Sequence, residues 1–250
     1  MALSPDGRYL AYTTTGSGGE RLYVRRMDST ESSMVPGGEG GRYSFWSPDS
    51  RQIGFFAGRT VKKTAISGGD PITLCSHTGN PAGGDGKLLA FERVAAANGG
   101  DLWTASLDGS GKLEPLLSGQ AFLHPRISPD SRFFAYSSTE TGRREVYIQT
   151  LPPGGGKWQV STGSGSEPKW RGDGKELYFL SGNKVMAAAI SFRGAAVEIG
   201  EIKPLFQARR GTGAAGHFAA SPDGKLFALS LVNERAQDRP ITLLLNGKLP

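Results

Sequence analysis

At 250 residues the chain fits one large all-β domain, and its 37% hydrophobic and 21% charged residues, with 37 glycines and 15 prolines, describe a foldable, turn-rich polypeptide. No apolar run is long enough to span a bilayer, no signal-peptide pattern follows Met1, and the lone Cys75 excludes an internal disulfide. The net charge of +6 is spread over scattered pairs, Arg25-Arg26, Lys62-Lys63, Arg143-Arg144 and Arg209-Arg210, so no nucleic-acid partner is expected.

The chain opens on Ser4-Pro5-Asp6-Gly7, and this tetrapeptide returns as Ser47-Pro48-Asp49-Ser50, Ser128-Pro129-Asp130-Ser131 and Ser221-Pro222-Asp223-Gly224. Weaker copies stand at Gly83-Gly84-Asp85-Gly86 and Arg171-Gly172-Asp173-Gly174. The six aspartates Asp6, Asp49, Asp85, Asp130, Asp173 and Asp223 are spaced by 36 to 50 residues, about what a four-stranded propeller blade consumes. Proline presets φ, serine and aspartate bond the local backbone, and glycine takes the last place, so each copy predicts a tight turn between two strands.

The residues after each aspartate are periodic. Four residues on comes a large apolar side chain (Leu10, Ile53, Leu89, Phe134, Leu177, Phe227), and six on an aromatic or leucine (Tyr12, Phe55, Phe91, Tyr136, Phe179, Leu229). Between them sits a small residue, Ala11, Gly54, Ala90, Ala135 or Ala228, with Tyr178 as the exception. Positions four and six share one face of a strand and position five the other, so the small residue should let a neighbouring blade pack closely.

Third strands are expected at Leu22–Val24, Leu102–Thr104, Val146–Ile148 and Val185–Ala187, and fourth strands at Ile72–Leu74, Pro115–Leu117, Trp158–Val160 and Pro204–Phe206. The prolines suit outer edges. Loops between second and third strands are expected at Thr13–Glu20, Glu92–Asp101, Ser138–Arg144 and Leu231–Arg239. Residues 1–250 therefore predict a single all-β, six-bladed propeller of four-stranded antiparallel blades. Its first and last blades read as incomplete, because the residues outside the first and last aspartates fall short of one repeat. The expectation is a fragment of a longer chain, whose missing part lies upstream and closes the ring.

The unit of an apolar residue, Ser-Pro-Asp-Gly and Leu-Ala-Tyr, followed by Leu-Tyr-Val, resembles the TolB-like, WD-like propeller repeat over essentially the whole chain. Phe218–Gly224 with Pro240–Asn246 looks like the last blade of propellers in bacterial receptor-like Ser/Thr protein kinases, although Gly247 stands where that family usually has tryptophan. The resemblance implies a non-catalytic sensory or interaction domain, extracytoplasmic or periplasmic, binding a protein or small molecule. The alternatives are a propeller that gates a prolyl-oligopeptidase-like hydrolase, or a stand-alone TolB-like periplasmic scaffold. No kinase motif and no Gly-x-Ser-x-Gly elbow is present in the sequence.

Candidate site residues are few. Six residues before the repeat aspartates stand Tyr43, His124, Glu167 and His217, and His77 also leads into an innermost strand. Imidazole and carboxylate at one channel mouth suit a metal ion or an anionic ligand, or simply a wet polar lining; no cofactor is expected. Among the loop residues, Arg143, Arg144, Glu234 and Arg235 are candidate contacts. Arg171-Gly172-Asp173 reads as a turn variant rather than an adhesion tripeptide.

Overall fold

The repeated turn folds as its chemistry dictates. In the computed structural model of the protein, Ser4 Oγ donates to Asp6 Oδ1 at 2.6 Å and accepts from the Tyr9 N–H at 2.9 Å. The same Asp6 oxygen accepts from the Arg8 N–H at 3.0 Å. Ser47, Ser128 and Ser221 repeat this network with Asp49, Asp130 and Asp223. In the five described copies the residue after the aspartate is left-handed: φ is 71° at Gly7, 61° at Ser50, 59° at Ser131, 72° at Gly174 and 71° at Gly224. Glycine is favoured there because a Cβ strains that conformation. In the fifth copy Arg171 replaces serine and its guanidinium clasps Asp173 through two bonds of 2.7 Å. The arginine and aspartate of that tripeptide are thus spent on each other.

Residues 1–76, 79–84, 88–95, 99–107, 110, 112–119, 122–207, 218–230 and 241–245 are described, and among them there is no helix. The strands form six successive antiparallel sheets. The first holds β1 (Ala2–Leu3), β2 (Tyr9–Gly16), β3 (Gly19–Arg26) and β4 (Ser32–Glu39). The second holds β5 (Gly41–Trp46), β6 (Gln52–Ala57), β7 (Thr60–Ala65) and β8 (Ile72–Ser76). The third holds β9 (Gly79–Gly84), β10 (Leu88–Ala95), β11 (Gly99–Ser106) and β12 (Leu113–Leu117). The fourth holds β13 (Phe122–Ile127), β14 (Phe133–Ser138), β15 (Glu145–Thr150) and β16 (Lys157–Gln159). The fifth holds β17 (Ser166–Trp170), β18 (Glu176–Ser181), β19 (Lys184–Arg193) and β20 (Ala196–Gln207). The sixth holds β21 (Phe218–Ala220), β22 (Leu226–Ser230) and β23 (Ile241–Leu245).

Interfaces between sheets use the predicted large–small–large triplet, most plainly where the first sheet meets the second, the fourth the fifth and the sixth the first. Ala11 of the first sheet packs with Ile53 and Phe55 of the second, and Ala135 of the fourth with Leu177 and Phe179 of the fifth. Each triplet therefore turns its large pair toward the preceding sheet and its small residue toward the next. Tyr178, the exception, meets Phe227 edge-on at 5.2 Å, and the partner at the next large position is the smaller Leu229. Volume lost on one side of that interface is gained on the other. The last sheet meets the first by the same rule: Ala228 and Ala219 cluster with Leu10 and Leu3, with Tyr12 packed against them.

The first and last sheets are the short ones, as expected: β1 is only two residues long, and the last sheet has three strands among the described residues. The sixth and first sheets pack together, and two of the expected loops need correction. Thr13–Glu20 is mostly hairpin strand, because the ladder runs on to Gly16↔Gly19; the β-branched Thr13, Thr14 and Thr15 favour this extension. Likewise Glu92–Ala95 and Gly99–Asp101 belong to β10 and β11. Of Ser138–Arg144, Ser138 closes β14 and residues 139–144 form a loop, and Leu231–Arg239 lies outside the described residues.

Candidate functional site

The first strands of consecutive sheets touch one another, β1 to β5, β5 to β9, β9 to β13, β13 to β17, and β21 to β1, so they line the axis. Three of them carry the same irregularity. The ladder shifts between Arg42 and Phe45, between Leu123 and Arg126, and between Ser166 and Lys169. The first residue of each bulge is left-handed without being glycine: Tyr43 at φ 49°, His124 at 56° and Glu167 at 54°. Bulges re-aim side chains, and strain of this kind persists only where the surroundings hold it. The third sheet shifts as well, between Pro81 and Gly83.

Glu92 of β10 crosses to the next sheet, where its Oε1 accepts the His124 backbone N–H at 2.5 Å. This carboxyl is buried, 6% exposed, and burial pushes its pKa up to about 7 against the pull of that hydrogen bond, Arg126 and Arg144. Glu167, 2% exposed, sits in the fields of His124, Arg126 and Lys169. Burial pushes the His124 imidazole down to about 4, with Arg126, Lys169 and Arg144 adding to the effect and Glu167 opposing it. The ring is therefore neutral at pH 7, and its buried Nδ1 has no hydrogen-bond partner among the described residues.

Two cations complete the cluster. Arg126 and Lys169 stand four residues before Asp130 and Asp173, on β13 and β17. Burial pushes Lys169 down to about 7, with Arg126 adding to it, and lowers Arg126 to about 10. Both are walled by neighbouring strands yet keep contact with solvent, as expected of groups lining a channel. Lys169 Nζ rests over the Phe218 ring at 5.7 Å, which ties it to the sixth sheet. Met1, on the first sheet's side, lies in the fields of Lys169, Glu167 and Arg126.

The strands are held in register by a bond the sequence did not advertise. Trp170 Nε1–H donates to the Arg126 carbonyl at 3.1 Å, and Trp46 Nε1–H donates to the Ala2 carbonyl at 3.1 Å. Each indole stands three residues before its repeat aspartate and reaches the preceding sheet's first strand. At the other end of β5, Thr13 Oγ1 donates to the Gly41 carbonyl at 2.9 Å, and Arg42 pairs with Glu20.

Of the candidates read from sequence, His124 and Glu167 come together, Arg144 lies in the field of His124 and Glu92, and Tyr43 lies in that of Glu92. Arg143 does not join them; it pairs with the fully buried Glu145 at 2.9 Å and pins the loop. His77, His217, Glu234 and Arg235 lie outside the described residues. Glu92, Arg126 and Lys169 were missed; the shared offset of the two cations, four places before the aspartate in consecutive repeats, is in the sequence, but the bulge that turns them is not.

Among the described residues no three His, Cys, Asp or Glu side chains converge to hold an ion, and two cations stand beside His124 and Glu167; His217, the third member of the candidate set, lies outside those residues.

No protein-family profile matches the sequence, and no curated protein does. Solved structures do. The chain is similar to TolB from Acinetobacter baumannii, with a TM-score of 0.75 at 16% identity over 98% of this chain and 62% of that one. A putative TolB from Agrobacterium tumefaciens gives 0.67 at 19% identity, covering 89% of this chain and 85% of that one. An oligogalacturonate lyase in complex with manganese gives 0.64 at 17% identity, covering 98% and 73%. The chain thus spans less than two thirds of the length of the Acinetobacter structure, and it has the fold of the TolB-like β-propellers.

Proposed function

We propose that this chain is a non-catalytic binding module whose ligand site is the channel mouth around His124, Glu167, Arg126 and Lys169. One observation carries the reading. The buried Nδ1 of His124, one of six buried side-chain atoms with no partner among the described residues, sits on a strained bulge beside Glu167, Arg126 and Lys169 and is held there by a rigid sheet scaffold. Groups that cost stability without a structural return are candidates for recognition.

The finer role proposed is sensory, as the C-terminal domain of a bacterial receptor-like Ser/Thr kinase on the extracytoplasmic side. It is supported by the last-blade resemblance of Phe218–Gly224 and Pro240–Asn246. The coding sequence upstream tests it: a kinase domain followed by a membrane span supports the sensor, and a hydrolase domain downstream sinks it. Among the described residues of this chain no helix is long and apolar enough to cross a membrane.

A lyase-like likeness makes catalysis testable as well. The purified chain, incubated with oligogalacturonate with and without manganese, is expected to release no unsaturated product. Turnover that His124→Gln abolishes would overturn the non-catalytic reading.

A further inference from the structure

We infer that the channel mouth takes a small anionic group, a carboxylate or a phosphate, held between Lys169 of β17 and Arg126 of β13. This rests on the channel mouth being the binding site and adds the chemistry of what binds there.

Lys169 and Arg126 occupy the same place in consecutive repeats, so adjacent first strands bring two cations into one field. Neither has a carboxylate oxygen within 4.0 Å among the described residues. The Arg126 Nη1–H donates to the Pro125 carbonyl at 2.8 Å, which braces the guanidinium and leaves its remaining N–H groups for another acceptor. Phe218 braces the Lys169 ammonium in turn. Two braced, half-buried cations with unused donors form a fork of the kind that binds oxyanions.

The neighbours complete the site. The unpartnered Nδ1 of the neutral His124 adds a donor in the tautomer that protonates it, and Arg144 adds a third cation near Glu92 and His124. Glu92 and Glu167 oppose them, so the balance depends on pH. Near pH 8 Glu92 is largely ionised and Lys169 largely neutral; near pH 6 the reverse holds, since both titrate at about 7. The groups around Lys169 that set this balance are Arg126 and His124 from β13, Glu167 from its own strand and the Met1 α-amino group just before β1. Positive charge therefore accumulates at the mouth as pH falls from 8 to 6, in the direction that favours an anion.

The test is calorimetric titration of the whole chain with inorganic phosphate and, separately, citrate, at pH 6 and pH 8 and matched ionic strength. Saturable binding is expected, tighter at pH 6. Lys169→Met and Arg126→Met should each weaken it about tenfold or more, as loss of a charge-assisted bond does, while the exposed Lys184→Met leaves it unchanged. Lys169→Arg, which keeps the charge, should retain most of the binding and guards against a folding defect. Response to phosphate alone or citrate alone assigns the source of the anionic group. If neither anion binds at either pH, the anion inference is overturned, and the site reading survives only if a neutral or cationic ligand perturbs the Trp170 fluorescence. Saturable anion binding that both methionine variants leave intact overturns the inference and the channel-mouth site together.

Discussion

The two ends of the first strands face opposite demands. At one end the repeat turns close on themselves: each serine hydroxyl and aspartate finds its partner within five residues, and neighbouring turns join through Asp6 N–H to Ser50 Oγ at 3.0 Å and Gly172 N–H to the Pro222 carbonyl at 2.8 Å. At the other end, six and four residues before the same aspartates, the backbone is strained and the charged groups answer to other sheets. The turns are architecture made by local chemistry, repeated with little variation. The mouth varies from sheet to sheet, Tyr43, His124 and Glu167 at one position, Phe45, Arg126 and Lys169 at another, so its side chains are free to be chosen for something other than folding. Variation on a fixed frame is what a binding surface requires.

If that contrast is sound, substitution at the two ends should act with opposite sign. Ser128→Ala removes a hydroxyl that is 1% exposed, accepts the Phe133 N–H at 2.9 Å and donates to Asp130 at 2.7 Å. Leaving a buried donor unpaired costs about 1–3 kcal/mol, readable as a fall in the urea midpoint. Ser47→Ala, in a more exposed turn, should cost less; an equal loss in both would mean that burial does not grade these turns. Lys169→Met at the mouth should instead stabilise, by about 1–2 kcal/mol at pH 6, because it removes a partly desolvated charge. The folded pKa lies below the ordinary lysine value, so the penalty is absent above pH 10.5, grows as pH falls toward 7 and is complete below it. Its gain should accordingly shrink at pH 9.5. A loss of stability at pH 6 would show that the lysine holds the sheets together and is no candidate for recognition.

Legibility in the sequence follows the same division. The turn and the triplet after it were readable because their causes are local: a hydroxyl, a proline and a carboxylate within four residues, then period-two alternation along one strand. The interface rule was readable too, down to the odd Tyr178, since large and small faces alternate within a strand. The mouth was legible only in part. Counting from the aspartates found His124 and Glu167 because a shared offset survives any local geometry. Glu92 could not be found that way, since it reaches the site by crossing from β10 to the next sheet, and that contact exists only once the sheets are stacked. Arg126 and Lys169 were hidden for another reason. Without the bulge, the offset of four residues gives no sign of which way a side chain turns, and three non-glycine residues at positive φ are not written in composition.

The smallest effect tests the turn end more finely. Ser50 is left-handed at φ 61° and its buried hydroxyl accepts the Asp6 N–H of the neighbouring turn. Two terms therefore oppose each other at this position: a Cβ in a conformation that disfavours it, and a bond between sheets that only an oxygen can make. Ser50→Ala keeps the strain and loses the bond; Ser50→Gly loses the bond but relieves the strain. The glycine variant should be the more stable of the two by about 1 kcal/mol, the cost of a left-handed Cβ, and should lie close to the parent in thermal melts. If alanine matches glycine, the left-handed turn carries no strain worth relieving. The serines that stand in for glycine at Ser50 and Ser131 would then need no compensating bond to explain them.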